Sequence, residues 1–158
     1  MAIQTGDRIP AMELQVMGAN GPEKVNTGDL FAGKKVVLFA VPGAFTPGCS
    51  KTHLPGYVVH ADKIKAKGVD SIICTSVNDV FVMDAWGKAQ NAEEIIMLAD
   101  GLGEFAKALE LTQDRTAAQL GIRSQRYAMI VNDGTVELLN VDSQGIDKSS
   151  AETILAAL

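Results

Sequence analysis

Apolar residues along this chain fall into short runs separated by polar, glycine-containing breaks, and the runs differ in type. The segment KKVVLFAV (34–41) carries six consecutive apolar residues and no wet face, which predicts a strand at the centre of a sheet. VDSIICTSVN (69–78) and EIIMLAD (94–100) predict two more buried strands, and AMELQVM (11–17) a first strand with an edge position. Between them, CSKTHLPGYVVHADKIKAKG (49–68) reads as a helix that stops at Gly68 and is kinked by Pro55 and Gly56. DVFVMDAWGKAQ (79–90) reads as a helix capped by Asn78 or Asp79, and GEFAKALEL (103–111) as a short one. YAMIVNDGTVELLNVD (127–142) is a hairpin pattern turning at Asn132-Asp133-Gly134. SSAETILAAL predicts a last helix, with Ser149 and Glu152 at capping-box spacing.

A βαβαβ succession followed by a hairpin and a helix implies an α/β fold: a mixed central sheet with helices on both faces, in thioredoxin-like order. With no repeat, linker or low-complexity tract, residues 1–158 are expected to form a single domain. Composition agrees, since 47% hydrophobic and 21% charged residues describe a globular chain and not a disordered one. A net charge of −5 without a strongly basic block argues against nucleic acid as a partner. No apolar run reaches the ~18–20 residues of a membrane helix. MAIQTGDRIP has no basic start followed by an apolar stretch, so no secretory signal is expected. Cys49 and Cys74 are the only cysteines, too few for a disulfide framework or a zinc site, and the expected compartment is the reducing cytoplasm.

The chemistry concentrates in VPGAFTPGCSKTHLPGYV (41–58). Pro42, Pro47 and Pro55 stiffen it, and Cys49 falls just beyond the central strand, near the first turn of the next helix. Unpaired N–H groups and the positive end of the helix dipole favour an anion there, and such settings lower a cysteine pKa from about 8.5 toward 6 or below. That change raises the thiolate fraction at neutral pH about thirtyfold, worth ~2 kcal/mol, part of which is returned as lower intrinsic nucleophilicity. The rest of any catalysis must come from donors aimed at charge in the transition state. Thr46 offers a hydroxyl and the N–H groups of Gly48 and Cys49 two further donors, while Gly48 lets a small ligand come close to the backbone.

PGAFTPGC fits the P-x-x-x-T-x-x-C signature, and with SVNDVFVMDAW and RSQRYAMIVNDG the chain resembles the peroxiredoxins, in their type II (atypical, fifth-subfamily) branch, over nearly its whole length. These are thiol peroxidases on a thioredoxin-like fold. The resemblance implies that Cys49 is the peroxidatic cysteine, that Pro42 shields it, that Thr46 hydrogen-bonds the peroxide, and that Arg126 stabilises thiolate and substrate, with Arg123 as the weaker rival. Pro47, Gly48, Phe45 and His53 are the expected substrate-side residues, His53 more as a positioner of the loop than as a base. The cysteine would pass through a sulfenic acid. Some members carry a resolving cysteine near the C-terminus; none follows Cys74 here, and Cys74 reads as a buried strand residue. An external thiol is therefore expected, glutathione with glutaredoxin ahead of thioredoxin, with no resident cofactor or metal. The family also implies a homodimer built from loops beside the site, to which Phe45, Phe81, Val82 and Trp86 are candidates.

Rival chemistries fail on residue count. A dithiol oxidoreductase needs a second cysteine where Thr52 stands, and a cysteine phosphatase needs an arginine where Pro55 stands. DGLGEF holds only two glycines of a dinucleotide fingerprint. A peroxide sensor that uses the same cysteine without turnover remains as the alternative.

Overall fold

The computed structural model describes residues 2–158, in which a seven-stranded mixed sheet runs in the order β2-β1-β5-β4-β3-β8-β9. Its strands are β1 (Glu13–Gly18), β2 (Gly21–Asn26), β3 (Lys35–Ala40), β4 (Ser71–Ser76), β5 (Ile95–Ala99), β8 (Arg126–Asn132) and β9 (Thr135–Asp142). A small ribbon of β6 (Thr112–Asp114) and β7 (Ile122–Ser124) stands apart. β3, β4 and β5 are parallel, as their helical crossovers require, and the outer pairings are antiparallel. The 34–41 run thus becomes an interior strand, flanked by β4 and β8.

Successive residues of β3 point to opposite faces and feed two cores. Val37, Phe39 and Val41 pack with Leu54, Tyr57, Met83, Trp86 and Ile154 from α2 (Leu54–Ala66), α3 (Val80–Ala89) and α5 (Ala151–Ala157). Val36, Leu38 and Ala40 pack with Phe31, Phe105 and Leu109 from α1 (Thr27–Phe31) and α4 (Glu104–Leu109). Helices on both faces are therefore realised, and the fold is thioredoxin-like. Truncating one of these fully buried leucines to alanine is worth about 2–5 kcal/mol. Among the described residues, no helix is long and apolar enough to cross a membrane.

The hairpin turns at Asp133 (φ 49°) and Gly134 (φ 79°), the left-handed pair that a two-residue turn demands. Three expectations are corrected. β1 is not the edge strand, because GPEKVN folds back as β2 and covers it. The last helix is capped by Ser150, whose hydroxyl accepts from the Thr153 N–H, so the Ser149–Glu152 box does not form; Ser149 is fully buried elsewhere. The expected kink near Pro55 is a π-helical turn over Cys49–His53, closed by a bond from the Leu54 N–H to the Cys49 carbonyl. Pro55 cannot donate, and its ring crowds the carbonyl four residues back, so the chain takes in one extra residue before it. Gly56 sits inside α2, where a Cβ would lie 3.8 Å from that of Ala151.

Candidate active site

The strand-to-helix connection after β3 is pinned before any side chain acts. The Val41 N–H bonds to the Thr75 carbonyl at 3.1 Å, and the Ala44 N–H to the Asn78 side chain at 3.0 Å. Asn78 therefore holds this loop, and Asp79 alone caps α3, accepting from the Val82 N–H. At Gly43 a Cβ would come within 3.0 Å of the Thr46 methyl, so a larger residue would press on Thr46 and require it to shift. The chain then passes through Phe45 at φ 64° and enters the π turn with Cys49 as its first residue.

Cys49 is only 1% exposed and belongs to the α2 side of the core, so burial alone does not distinguish it from Cys74. Its neighbours do. Register pairs Ala40 with Tyr127, which brings Arg126, the first residue of β8, level with the end of β3. The Arg126 Nη2 donates to the Cys49 Sγ at 3.3 Å. Arg123 does not compete: its Nε and Nη1 donate to the Leu120 and Val77 carbonyls at 2.8 and 3.2 Å, bracing the loop. The N–H groups of Gly48 and Cys49 have no acceptor among the described residues, whereas the Ser50 N–H is bonded to the Thr46 carbonyl.

Arg126 is itself oriented from behind. Its Nη1 donates to the His53 Nδ1 at 2.8 Å, and a guanidinium can only donate, so the ring hydrogen sits on Nε2 and is given to the Ser149 carbonyl at 3.0 Å. The Tyr57 hydroxyl donates to that carbonyl at 2.7 Å, with its ring stacked on Phe39 at 3.9 Å. Ser149 is fixed in turn by Asp142, which accepts its N–H and hydroxyl at 2.8 and 2.6 Å, along with the N–H groups of Asp147 and Lys148. Asp142 lies directly opposite Arg126 on β9. Burial pushes its carboxyl up, but these donors outweigh burial and hold it at about 2.

His53 is pushed down to about 4, first by burial and then by the Arg126 charge, against the opposing pull of the Ser149 carbonyl. It is neutral at physiological pH, 1% exposed and already bonded through both nitrogens, so it neither touches a substrate nor acts as a base. The expected substrate-side role is thereby corrected to a positioning one. Because the folded pKa lies below the unfolded ~6.5, this group's contribution is fully present above pH 6.5 and is lost as pH falls toward 4, by up to about 3 kcal/mol. Urea unfolding should show wild type losing more stability between pH 7 and pH 4.5 than His53→Gln; equal losses would remove this account of the histidine.

The other expected residues divide. Thr46 stands beside the site, but its hydroxyl donates to the Gly43 carbonyl at 2.5 Å, which leaves it lone pairs and no hydrogen for a ligand. Pro42, Gly48 and Arg126 line a cavity of about 360 Å³. Pro47 and Phe45 are exposed and are not part of that wall, Phe45 54% exposed. Of the candidate contact residues, Phe81 is 64% exposed, Val82 half-buried and Trp86 fully buried, its indole N–H donating to the Ser50 hydroxyl at 2.9 Å. Cys74 is fully buried, and burial, followed by the nearby Cys49, pushes its thiol well up. Asp142, Ser149 and Tyr57 escaped the sequence reading because His53 and Tyr57 meet at the Ser149 carbonyl across 96 and 92 residues of chain; only the run of β9 into the serine pair hinted at it.

A cationic donor on a buried sulfur, free N–H groups alongside and a small polar cavity suit a thiol nucleophile that attacks a neutral, oxygen-rich molecule. Comparison with known proteins points the same way. The Redoxin family profile matches residues 4–155. Peroxiredoxin-2D of Arabidopsis thaliana is 45% identical, with 99% of this chain and 98% of the relative covered, and Peroxiredoxin-2C of Oryza sativa is 46% identical at the same coverage. Reduced Prx3 of Vibrio vulnificus in complex with H2O2 superposes with a TM-score of 0.95 at 58% identity, covering 98% of each chain.

Proposed function

Because this chain belongs to the Redoxin family, and within it to the type II peroxiredoxins, we propose that Cys49 is its peroxidatic cysteine, with Arg126 as the catalytic donor. Membership makes it a thiol peroxidase; the contact between Arg126 Nη2 and Cys49 Sγ at 3.3 Å carries the assignment of the residues. The thiolate attacks one oxygen of the hydroperoxide and forms the S–O bond while the O–O bond breaks. The leaving oxygen takes the electron pair and, with a proton, departs as water or alcohol. Charge moves from sulfur across both oxygens during this step, so Arg126 and the N–H groups of Gly48 and Cys49 bind the transition state more strongly than the ground state. Thr46, its hydrogen committed to Gly43, accepts the hydrogen of the peroxide and fixes which oxygen faces the sulfur. Pro42 lines the cavity and keeps water from the sulfur. Hydrogen peroxide is the first substrate to test, given the relative that binds it.

Cys49 becomes a sulfenic acid, and the electrons that restore it come from an external thiol, with no resident cofactor. The sequence holds only one further cysteine, and Cys74 is sealed in the core with its thiolate disfavoured. Glutathione with glutaredoxin is the favoured reductant and thioredoxin the second. Exposed Phe45 and Phe81 favour a homodimer that covers them, and the two-cysteine composition favours the cytoplasm.

Peroxide consumption with each reductant tests this reading. Many peroxides per chain are expected with glutathione and glutaredoxin, in wild type and in Cys74→Ala alike. A limit of one peroxide per chain with every thiol donor would instead make the protein a sensor.

A further inference from the structure

The turn that carries Cys49 depends on its side chains where its backbone support runs out. The Leu54 N–H closes it on the Cys49 carbonyl, five residues back. The next bond of that ladder, to the Ser50 carbonyl, cannot form, because Pro55 has no hydrogen to give. Lys51 and Thr52 are exposed. Among the described residues, side-chain bonds tie the turn to the rest of the protein at Cys49, Ser50 and His53. Cys49 and His53 both meet Arg126, so they hold the turn and the guanidinium to each other, with Ser149 behind the imidazole. The bond at Ser50 goes elsewhere: its hydroxyl accepts from the Trp86 Nε1 at 2.9 Å, across 36 residues of chain. Trp86 is a fixed point. It is fully buried in the same core as Cys49, Phe39 and Tyr57. Its helix sits close on the sheet, since a Cβ at Gly87 would come within 2.8 Å of Met97 Cγ on β5.

We propose that Ser50 and Trp86 are positioning residues for the peroxide step: the indole, acting through the Ser50 hydroxyl, holds the turn at the rotation that keeps the Cys49 sulfur on the Arg126 guanidinium. The inference rests on the assignment of Cys49 and Arg126 above and adds what keeps the two together. Neither residue of the pair lines the cavity, and Trp86 is sealed in the core, so they act on the reaction through the turn alone. Ser50 follows Cys49 directly, so a rotation that withdraws its hydroxyl from the indole also swings the sulfur relative to Arg126 Nη2, 3.3 Å away. A reacting atom displaced by even a fraction of its contact distance loses rate steeply, which gives one distant hydrogen bond a kinetic consequence. The two anchors are complementary. Arg126 approaches the turn from β8, and Trp86 from α3.

The test is the rate at which reduced protein reacts with hydrogen peroxide in wild type, Ser50→Ala, Ser50→Thr, Arg126→Gln and the double variant Ser50→Ala/Arg126→Gln. Ser50→Ala should slow the reaction about tenfold, and Ser50→Thr, which keeps the hydroxyl, should restore most of the rate. In the Arg126→Gln background the same change to alanine should cost no more than about twofold, because the contact it protects is already gone. Trp86 is the only tryptophan in the chain, so its fluorescence reports on the bond directly. Emission of the reduced protein should change in Ser50→Ala and return in Ser50→Thr. Equal tenfold losses with and without Arg126 would overturn the proposal and leave the bond a purely structural one. An unchanged rate or an unchanged emission in Ser50→Ala would overturn it as well. Arg126→Gln alone separates the failures. If it is slow while Ser50→Ala acts equally in both backgrounds, the site stands and only the positioning pair is lost; if it reacts like wild type, the assignment of the site falls.

Discussion

Cys49→Ser is expected to abolish peroxide consumption with every reductant while leaving the fold intact. A serine hydroxyl ionises far above neutral pH and is a poor nucleophile toward an O–O bond, so no residual route remains through this position. The substitution is close in size, and the Arg126 guanidinium that now donates to sulfur can donate to an oxygen in its place. Circular dichroism and thermal unfolding should therefore match wild type within the ~1 kcal/mol of a modest core change. Activity above the background of free thiol and peroxide would place the nucleophile elsewhere. Cys74 is then the only sulfur candidate among cysteines, and its burial makes that outcome a contradiction of the whole reading.

Arg126→Gln should produce the second largest loss, about 10²–10³-fold in the rate of the peroxide step, the range found when one preorganised donor to a developing charge is removed. Two consequences combine. The sulfur loses its charged donor, and His53 Nδ1, buried in the core, loses the partner that its acceptor requires. The second costs stability by about 1–3 kcal/mol, so the rate must be compared at a pH and temperature where the variant is folded. Arg126→Lys should rescue poorly, because a single ammonium cannot reach sulfur and imidazole along two separate N–H directions as a guanidinium fork does. A lysine variant with wild-type rates would show that charge alone suffices and that the fork geometry is irrelevant.

Local sequence chemistry carried much of the fold and stopped where tertiary contacts took over. The six-residue apolar run became an interior strand because such a run has no solvent-tolerant face, and Asp133-Gly134 turned the hairpin because that turn is specified by the residues that tolerate φ > 0. β2 and the β6–β7 ribbon went unread for the opposite reason. GPEKVN is largely polar and exposed, and three-residue strands offer no period to detect. The capping-box spacing pointed to Ser149, one residue too early, because the hold of Asp142 on Ser149 that leaves Ser150 as the cap is a tertiary contact. At the site, the family resemblance singled out Cys49 and Arg126, and the two lie in contact, Nη2 to Sγ at 3.3 Å. The direction of the Thr46 hydroxyl, the tautomer of His53 and the chain from Asp142 through Ser149 to Arg126 depend on backbone carbonyls that no side-chain motif encodes.

That chain also explains why a strongly perturbed histidine so close to the cysteine is not its base. Arg126 needs a neutral acceptor behind it, and His53 stays neutral because it is buried beside a cation. Protonation would put two positive groups in contact and release the guanidinium from its position. The histidine therefore acts on the sulfur through the arginine, and the acid sensitivity it confers on stability is the same property seen from the folding side.

On this reading the sulfur held by Arg126 is the one that peroxide oxidises. The direct measurement is reaction of the reduced protein with one equivalent of hydrogen peroxide, immediate trapping of sulfenic acid with dimedone, and mass-spectrometric location of the adduct. The adduct should appear on the peptide containing Cys49, be absent from that containing Cys74, and form at least a hundredfold more slowly in Arg126→Gln. Adduct on Cys74, or equal rates with and without the arginine, would contradict the account.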